Sequence, residues 1–126
     1  VAAGQFVTAH IIVSTAFLKA HPDLVKAFLQ AHVEITRWEQ QNPEQAKQLV
    51  NDQIKALTGK ALAKDVIDDA WGRMQITYDP ISASLVKSAE SAYKAGFLKA
   101  NPDLSGIYDL TLLNEVLAEK KLAAVQ

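Results

Sequence analysis

The chain has 126 residues, 49% of them hydrophobic, which is enough for one ordinary domain with a core and too apolar for a disordered tail. Thirteen basic and fourteen acidic residues are mixed along it for a net charge of −1, leaving no basic footprint for nucleic acid and no polybasic patch for a membrane surface. Cysteine is absent, which excludes disulfides, thiolate catalysis and cysteine-held metal, and no apolar run approaches the roughly 20 residues of a transmembrane helix.

In chain order, Phe6 to Ser14 is the best strand candidate, because β-branched and aromatic residues dominate it. Alternation puts Val7, Ala9, Ile11 and Val13 on a core face, with Phe6, Thr8, His10 and Ile12 on the other. Ser14 or Thr15 caps a short helix that runs through Lys19 and stops at His21. From Pro22, the spacing of Val25, Phe28, Leu29, His32, Val33 and Thr36 predicts an amphipathic helix ending near Gln41. Asn42, Pro43 and Gln45 read as a capping box that opens the next helix, which buries Ala46, Leu49, Val50, Ile54 and Leu57 and ends at Thr58-Gly59.

A third long helix is predicted over Lys60 to Met74, followed by a short extended piece at Gln75 to Tyr78 that Asp79-Pro80 halts. Ser82 to about Lys99 forms another helix, and Thr111 to Lys121 closes the chain on Leu112, Leu113, Val116 and Leu117. The expected fold class is mainly α, with about five helices plus one or two short strands. A lone strand cannot satisfy its own main chain, and the sequence supplies no clear partner for it. The chain also opens at Val1 within what reads as ordinary folded sequence, so residues 1–126 are expected to be one fragment of a longer protein.

Phe17 to Leu24 and Phe97 to Leu104 differ at one position only, His21 against Asn101. Their flanks disagree, so the repeat reads as reused helix punctuation: Phe-Leu-Lys closes a helix, the residue before proline breaks it, and Pro-Asp opens the next.

The three histidines, His10, His21 and His32, stand eleven apart, but Pro22 keeps them off one helix and no acid sits at ligand spacing, so no metal is expected. Asp65, Asp68 and Asp69 point in different directions on a helix and read as a solvated face rather than an acid–base pair. No phosphate loop or serine elbow appears; the expectation is a protein that is not an enzyme and takes no cofactor. Thr8 and His10 are the candidate ligand-binding residues. Two uncharged donors on a rigid strand suit an anion such as a sulfonate; the competing reading has both satisfied by neighbouring main chain within a core.

The order of short motifs is more specific than any one of them. Residues 5–15 and 17–25 are followed in register by Asn42-Pro43-Glu44, Leu57-Thr58-Gly59-Lys60, Tyr78-Asp79-Pro80, Ala92-Tyr93-Lys94-Ala95-Gly96-Phe97-Leu98, and Pro102 to Leu110 with Leu112 to Leu117. Together they resemble the C-terminal part of the aliphatic-sulfonate substrate-binding proteins of bacterial ABC importers. The resemblance implies the C-terminal part of an α/β type II periplasmic binding protein fold, with two lobes closing on a solute. It implies a small anionic solute (an alkanesulfonate, with nitrate or taurine as neighbours), delivery to an ABC permease subunit, and a periplasmic or cell-surface-anchored location. It also implies that the segment supplying the first lobe and most ligand contacts is missing here, so the exposed fragment is expected to pair as a homo-oligomer or swapped dimer. The alternative is a stand-alone helical module that binds a partner protein through an apolar groove.

Overall fold

A computed structural model describes residues 4–126 of the chain. It is mainly helical, with six helices among the described residues: α1 Thr15–Ala20, α2 Pro22–Gln41, α3 Pro43–Thr58, α4 Lys64–Arg73, α5 Ser82–Lys94 and α6 Thr111–Glu119. The chain divides into two compact units. One takes in the chain up to Gln30 and again from Asp79 to Gln126; the other is Ala31–Tyr78. Helix α2 contributes its first half to one and its second half to the other.

Among the described residues of the discontinuous unit, the buried apolar side chains are Leu113, Val116 and Leu117, all from α6. Buried Ser84 of α5 accepts a hydrogen bond from the Val7 main-chain nitrogen at 3.1 Å. On the surface of this unit, Lys26 of α2 reaches two carboxylates one turn apart on α6, Glu115 at 3.0 Å and Glu119 at 2.8 Å. Gln30, one turn along α2, also donates to Glu119 at 3.3 Å. In the continuous unit, Val33 and Thr36 of α2, Ala46 of α3 and Ile67 of α4 are buried. There Lys47 of α3 pairs with Asp68 of α4 at 2.7 Å, and Lys64 pairs with the same carboxylate.

The helix boundaries follow local chemistry. The Ser14 hydroxyl accepts from the Phe17 nitrogen at 3.1 Å and caps α1; His21 ends it, its nitrogen donating to the Phe17 carbonyl at 2.8 Å. Gly59, at φ 81°, closes α3 in the left-handed conformation expected of it, with its nitrogen on the Lys55 carbonyl at 2.8 Å. The capping box does not form: Asn42 turns its amide nitrogen back to the Trp38 carbonyl at 2.9 Å, so its side chain closes α2 while only its main-chain carbonyl opens α3, accepting from the Ala46 nitrogen at 2.9 Å.

Two expectations on helix length are corrected. Helix α4 begins at Lys64 rather than Lys60, because Leu62 is held extended by both ends of the Asn51 side chain: Nδ2 donates to its carbonyl at 3.0 Å and Oδ1 accepts from its nitrogen at 2.8 Å. Helix α5 ends at Lys94 rather than near Lys99, since Gly96 at φ 80° takes up a closing turn in which the Phe97 nitrogen reaches back to the Ala92 carbonyl at 2.9 Å. The two copies of the octapeptide therefore differ in conformation. Phe17 to Ala20 is helical, whereas Phe97 to Ala100 is a run of bends.

Both expected strands are also corrected. Among the described residues, strand pairing is confined to a single bridge position at Gln5, and Phe6 to Ser14 and Gln75 to Tyr78 carry no ladder. Val7 is half-buried, but the rest of Phe6 to Ser14 is exposed, so the alternation selects no core face. The reason is physical: strand propensity describes fit to a pleated surface, and the described residues supply no sheet for this segment to fit.

The clamp on Leu62 recurs on α6. Asn114 donates from Nδ2 to the Val125 carbonyl at 3.1 Å and accepts at Oδ1 from the Val125 nitrogen at 2.9 Å. Each asparagine grips a residue eleven positions on, after a left-handed residue (Gly59 or Lys121) has turned the chain back along its helix. Replacing Asn114 by alanine breaks two part-buried main-chain bonds and is expected to cost about 1–3 kcal/mol. Asn51→Ala, at a more exposed clamp, costs less, and urea unfolding of the two variants measures the order.

The Lys26 pair sets a pH window. Hydrogen bonds to Glu119 first and Glu115 second hold the Lys26 amine above its ordinary 10.5; Lys26 first and Gln30 second hold Glu119 below its ordinary 4.5. A depressed carboxylate contributes fully above its unfolded pKa and loses that contribution as pH falls through the folded value. A raised amine contributes fully below its unfolded pKa and loses it as pH rises through the folded value. The α2–α6 contact is thus at full strength between 4.5 and 10.5 and fades outside on both sides. Lys26→Met is expected to flatten both limbs of the urea-midpoint profile against pH, with the acid limb the easier to follow.

Candidate functional site

The two sequence candidates belong to the discontinuous unit. His10 lies in a polar cluster: its Nε2 is 2.9 Å from the Tyr108 hydroxyl oxygen and 3.3 Å from the Pro80 carbonyl oxygen. The two rings lie 5.8 Å apart between centroids and are tilted by 46°. Thr8 is exposed and takes no part in this cluster. The shared face expected of Thr8 and His10 depended on a strand, and without the ladder alternation does not hold them together.

Each partner arrives by a different local device. Asp79 accepts at Oδ1 from the Ile81 nitrogen at 2.8 Å, an Asx turn that presents the Pro80 carbonyl. Ile81 then sits at φ 49°, ψ 63°, the left-handed region, where a β-branched side chain is strained by about 1–2 kcal/mol. Its carbonyl accepts from the Ser84 nitrogen at 2.8 Å as α5 begins, and Ser82 donates its hydroxyl to the Gln126 carbonyl at 3.3 Å. Tyr108 enters between two further turns. Asp103 accepts from the Ser105 nitrogen at 2.9 Å and Asp109 from the Thr111 nitrogen at 3.0 Å. These bonds hold both carboxyls below the usual carboxylate range, at Asp103 through the Ser105 main chain first and at Asp109 through the Thr111 side chain first.

A carbonyl oxygen only accepts, so the tautomer serving both His10 contacts carries its proton on Nε2 and shares it between Pro80 and Tyr108; hydrogen placement here is assigned from partners. That leaves the phenolic hydrogen of Tyr108 and the lone pair of His10 Nδ1 for a visiting group. The cluster is a hydrogen-bonding one. Burial raises the Tyr108 phenol above its ordinary value, because the phenolate is the form that loses solvation, and so it keeps the hydroxyl a donor across the neutral range.

Two open depressions lie in the continuous unit. One, of about 410 Å³ beside α3 and α4, is lined by Glu44, Lys47, Asn51, Lys64 and Asp68 among others. Lys47 pairs there with both Glu44 and Asp68, and Asp68 also takes Lys64, which together hold the Asp68 carboxyl below its usual range with Lys47 the larger influence. Charge in this depression is spent on itself. The other, of about 520 Å³, is lined mainly by apolar side chains including Ile54, Leu62 and Val66. Among the described residues no group of three or more potential metal ligands is close enough to hold an ion. His21 closes α1 and packs its ring 5.0 Å from that of Phe17, and His32 is half-buried on α2.

The sequence does not mark Pro80 and Tyr108 as partners of His10. Tyr108 had a signal in Asp103 and Asp109, two turn-forming residues that bracket it, but pairing across ninety-eight positions has no local signature. No protein-family model matches the chain, and no curated protein or solved structure is significantly similar to it.

Tyr108→Phe is expected to remove one phenol ionisation above pH 10 from an ultraviolet titration, with the far-ultraviolet helix signal unchanged. Because burial is what raises the phenol, His10→Ala is not expected to bring that step down to the ordinary phenol range.

Proposed function

We propose that the chain is the C-terminal segment of an extracytoplasmic solute-binding protein serving ABC-type import, with short aliphatic sulfonates as its solute. The observation that carries this reading is the order and spacing of the motifs from Gln5 to Leu117, which resembles that family along almost the whole chain. Phe6 to Ser14 agrees with it. In a two-lobed α/β protein such a segment is a sheet strand whose neighbours come from elsewhere in the chain, and here it is strand-like in composition and carries no ladder.

In this reading the protein holds its solute and does not transform it. The Tyr108 hydroxyl, whose hydrogen the cluster leaves free, is a neutral donor suited to a sulfonate, which has no proton to give at neutral pH, and the His10 ring nitrogen beside it helps to hold it in place. Thr8 is the further candidate contact. The partner is an ABC permease, and the working place is the periplasm or the cell surface. Nitrate and taurine are the nearest alternative solutes.

A second reading, a helical module that binds a partner protein, draws on the apolar depression at Ile54, Leu62 and Val66. The genomic reading frame separates the two. A lobe-sized coding segment upstream of Val1 is expected, and a start codon directly before it removes the importer reading. Calorimetric titration of the protein encoded by that longer frame should give saturable heat with short alkanesulfonates. Silence with alkanesulfonates, taurine, nitrate and sulfate alike removes the solute assignment, whereas the 126-residue chain alone is expected to bind weakly or not at all.

A further inference from the structure

Residues 8–13 make no main-chain hydrogen bond to any other described residue. The row is bounded on one side by Val7, whose nitrogen is taken by Ser84, and on the other by Ser14, whose carbonyl accepts from the Leu18 nitrogen at 3.0 Å. Between them stand Thr-Ala-His-Ile-Ile-Val, strand-forming in type, without proline or glycine, with Ile11 59% and Ile12 89% exposed. No charged residue occurs from Gly4 to Leu18, so the protections that usually blunt an open edge, lysine, proline or an inward charge, are all missing.

Helix faces offer no unpaired amides to such a row. What complements six consecutive open amide units is another extended main chain, and neutrality removes the like-charge repulsion that forbids most segments from pairing with themselves. We propose that this chain forms a two-fold dimer by antiparallel pairing of residues 8–14 with the same residues of a second copy. The proposal concerns the 126-residue chain itself and does not rest on the solute-binding reading; a monomer would leave that reading intact.

Symmetry fixes the register. Opposed residues in a ribbon must point to the same face, and side chains alternate, so a two-fold axis through the ribbon sets one residue opposite its own copy. Centring on Ile11 uses the whole open row and leaves the Val7–Ser84 bond intact. Ile11 then faces Ile11, His10 faces Ile12, Ala9 faces Val13 and Thr8 faces Ser14. Directly opposed Cα atoms in such a ribbon are about 4.5–5.5 Å apart, within reach of a disulfide.

The chain has no cysteine, so a single introduced one reports its own copy. Ile11→Cys is expected to give a disulfide-linked dimer under mild oxidation, while Leu57→Cys, a more exposed position on α3 at 84% exposure for the native leucine, stays largely monomeric. Light scattering of the unmodified chain should move from one chain to two as concentration rises, with an infrared strand signal appearing in step. Ile11→Pro combined with Ile12→Pro removes a ladder donor whichever edge of this exposed segment is paired, and should return the mass to one chain. A monomer at all concentrations, equal cross-linking at Leu57→Cys, species larger than two, or a dimer that survives the double proline substitution would each overturn the pairing.

Discussion

Every main-chain amide that leaves water must find a partner, and in this protein helices meet that requirement for themselves while the segments between them meet it by borrowing. Asn51 and Asn114 show how. Each side-chain amide sets a donor and an acceptor side by side in fixed geometry, so it pairs with both main-chain groups of one residue as a neighbouring strand would. With one asparagine the chain after α3 is held extended at Leu62, and α4 starts only at Lys64; with the other the last residues are returned along α6. Val7 borrows from Ser84, and the Asx turns at Asp79, Asp103 and Asp109 fold their own loops in the same way. Beyond Val7 the borrowing stops, and residues 8–13 are left with an open main chain.

The His10 cluster is a product of these loops. Pro80 is presented by one Asx turn, Tyr108 stands between two others, and Ile81 is kept in a conformation its side chain disfavours by the bonds on either side of it. Such strain persists where surrounding contacts over-determine it, and it lies here beside the carbonyl that His10 meets. The contacts gathered at this point are hydrogen bonds.

The cores are thin for the composition. Among the described residues six apolar side chains are buried, while twenty large hydrophobic ones are exposed, among them Leu49, Leu57 and Val66 from the stripes of α3 and α4. An amphipathic stripe states which side of a helix is to be covered; it does not supply the cover. On α6, Leu113, Val116 and Leu117 are covered as their spacing suggests, and on α3 only Ala46 is.

What the sequence determined by itself is local: the helical class, the hydroxyl cap at Ser14, the breaks at His21 and Gly59, and the interruption at Asp79-Pro80. These depend on interactions within a few residues, and the residue types alone carry them. The second octapeptide marks the edge of that legibility, since Phe97 to Ala100 repeats a helical string four residues long and is not helical once Gly96 has turned the chain. Tertiary structure decided everything that needs a distant partner: that Asn51 delays α4, that His10 meets Tyr108, and that the most strand-like stretch of the chain carries no ladder. A helix closes its hydrogen bonds four residues away, whereas a strand closes them on whatever lies beside it, and no sequence window contains that neighbour.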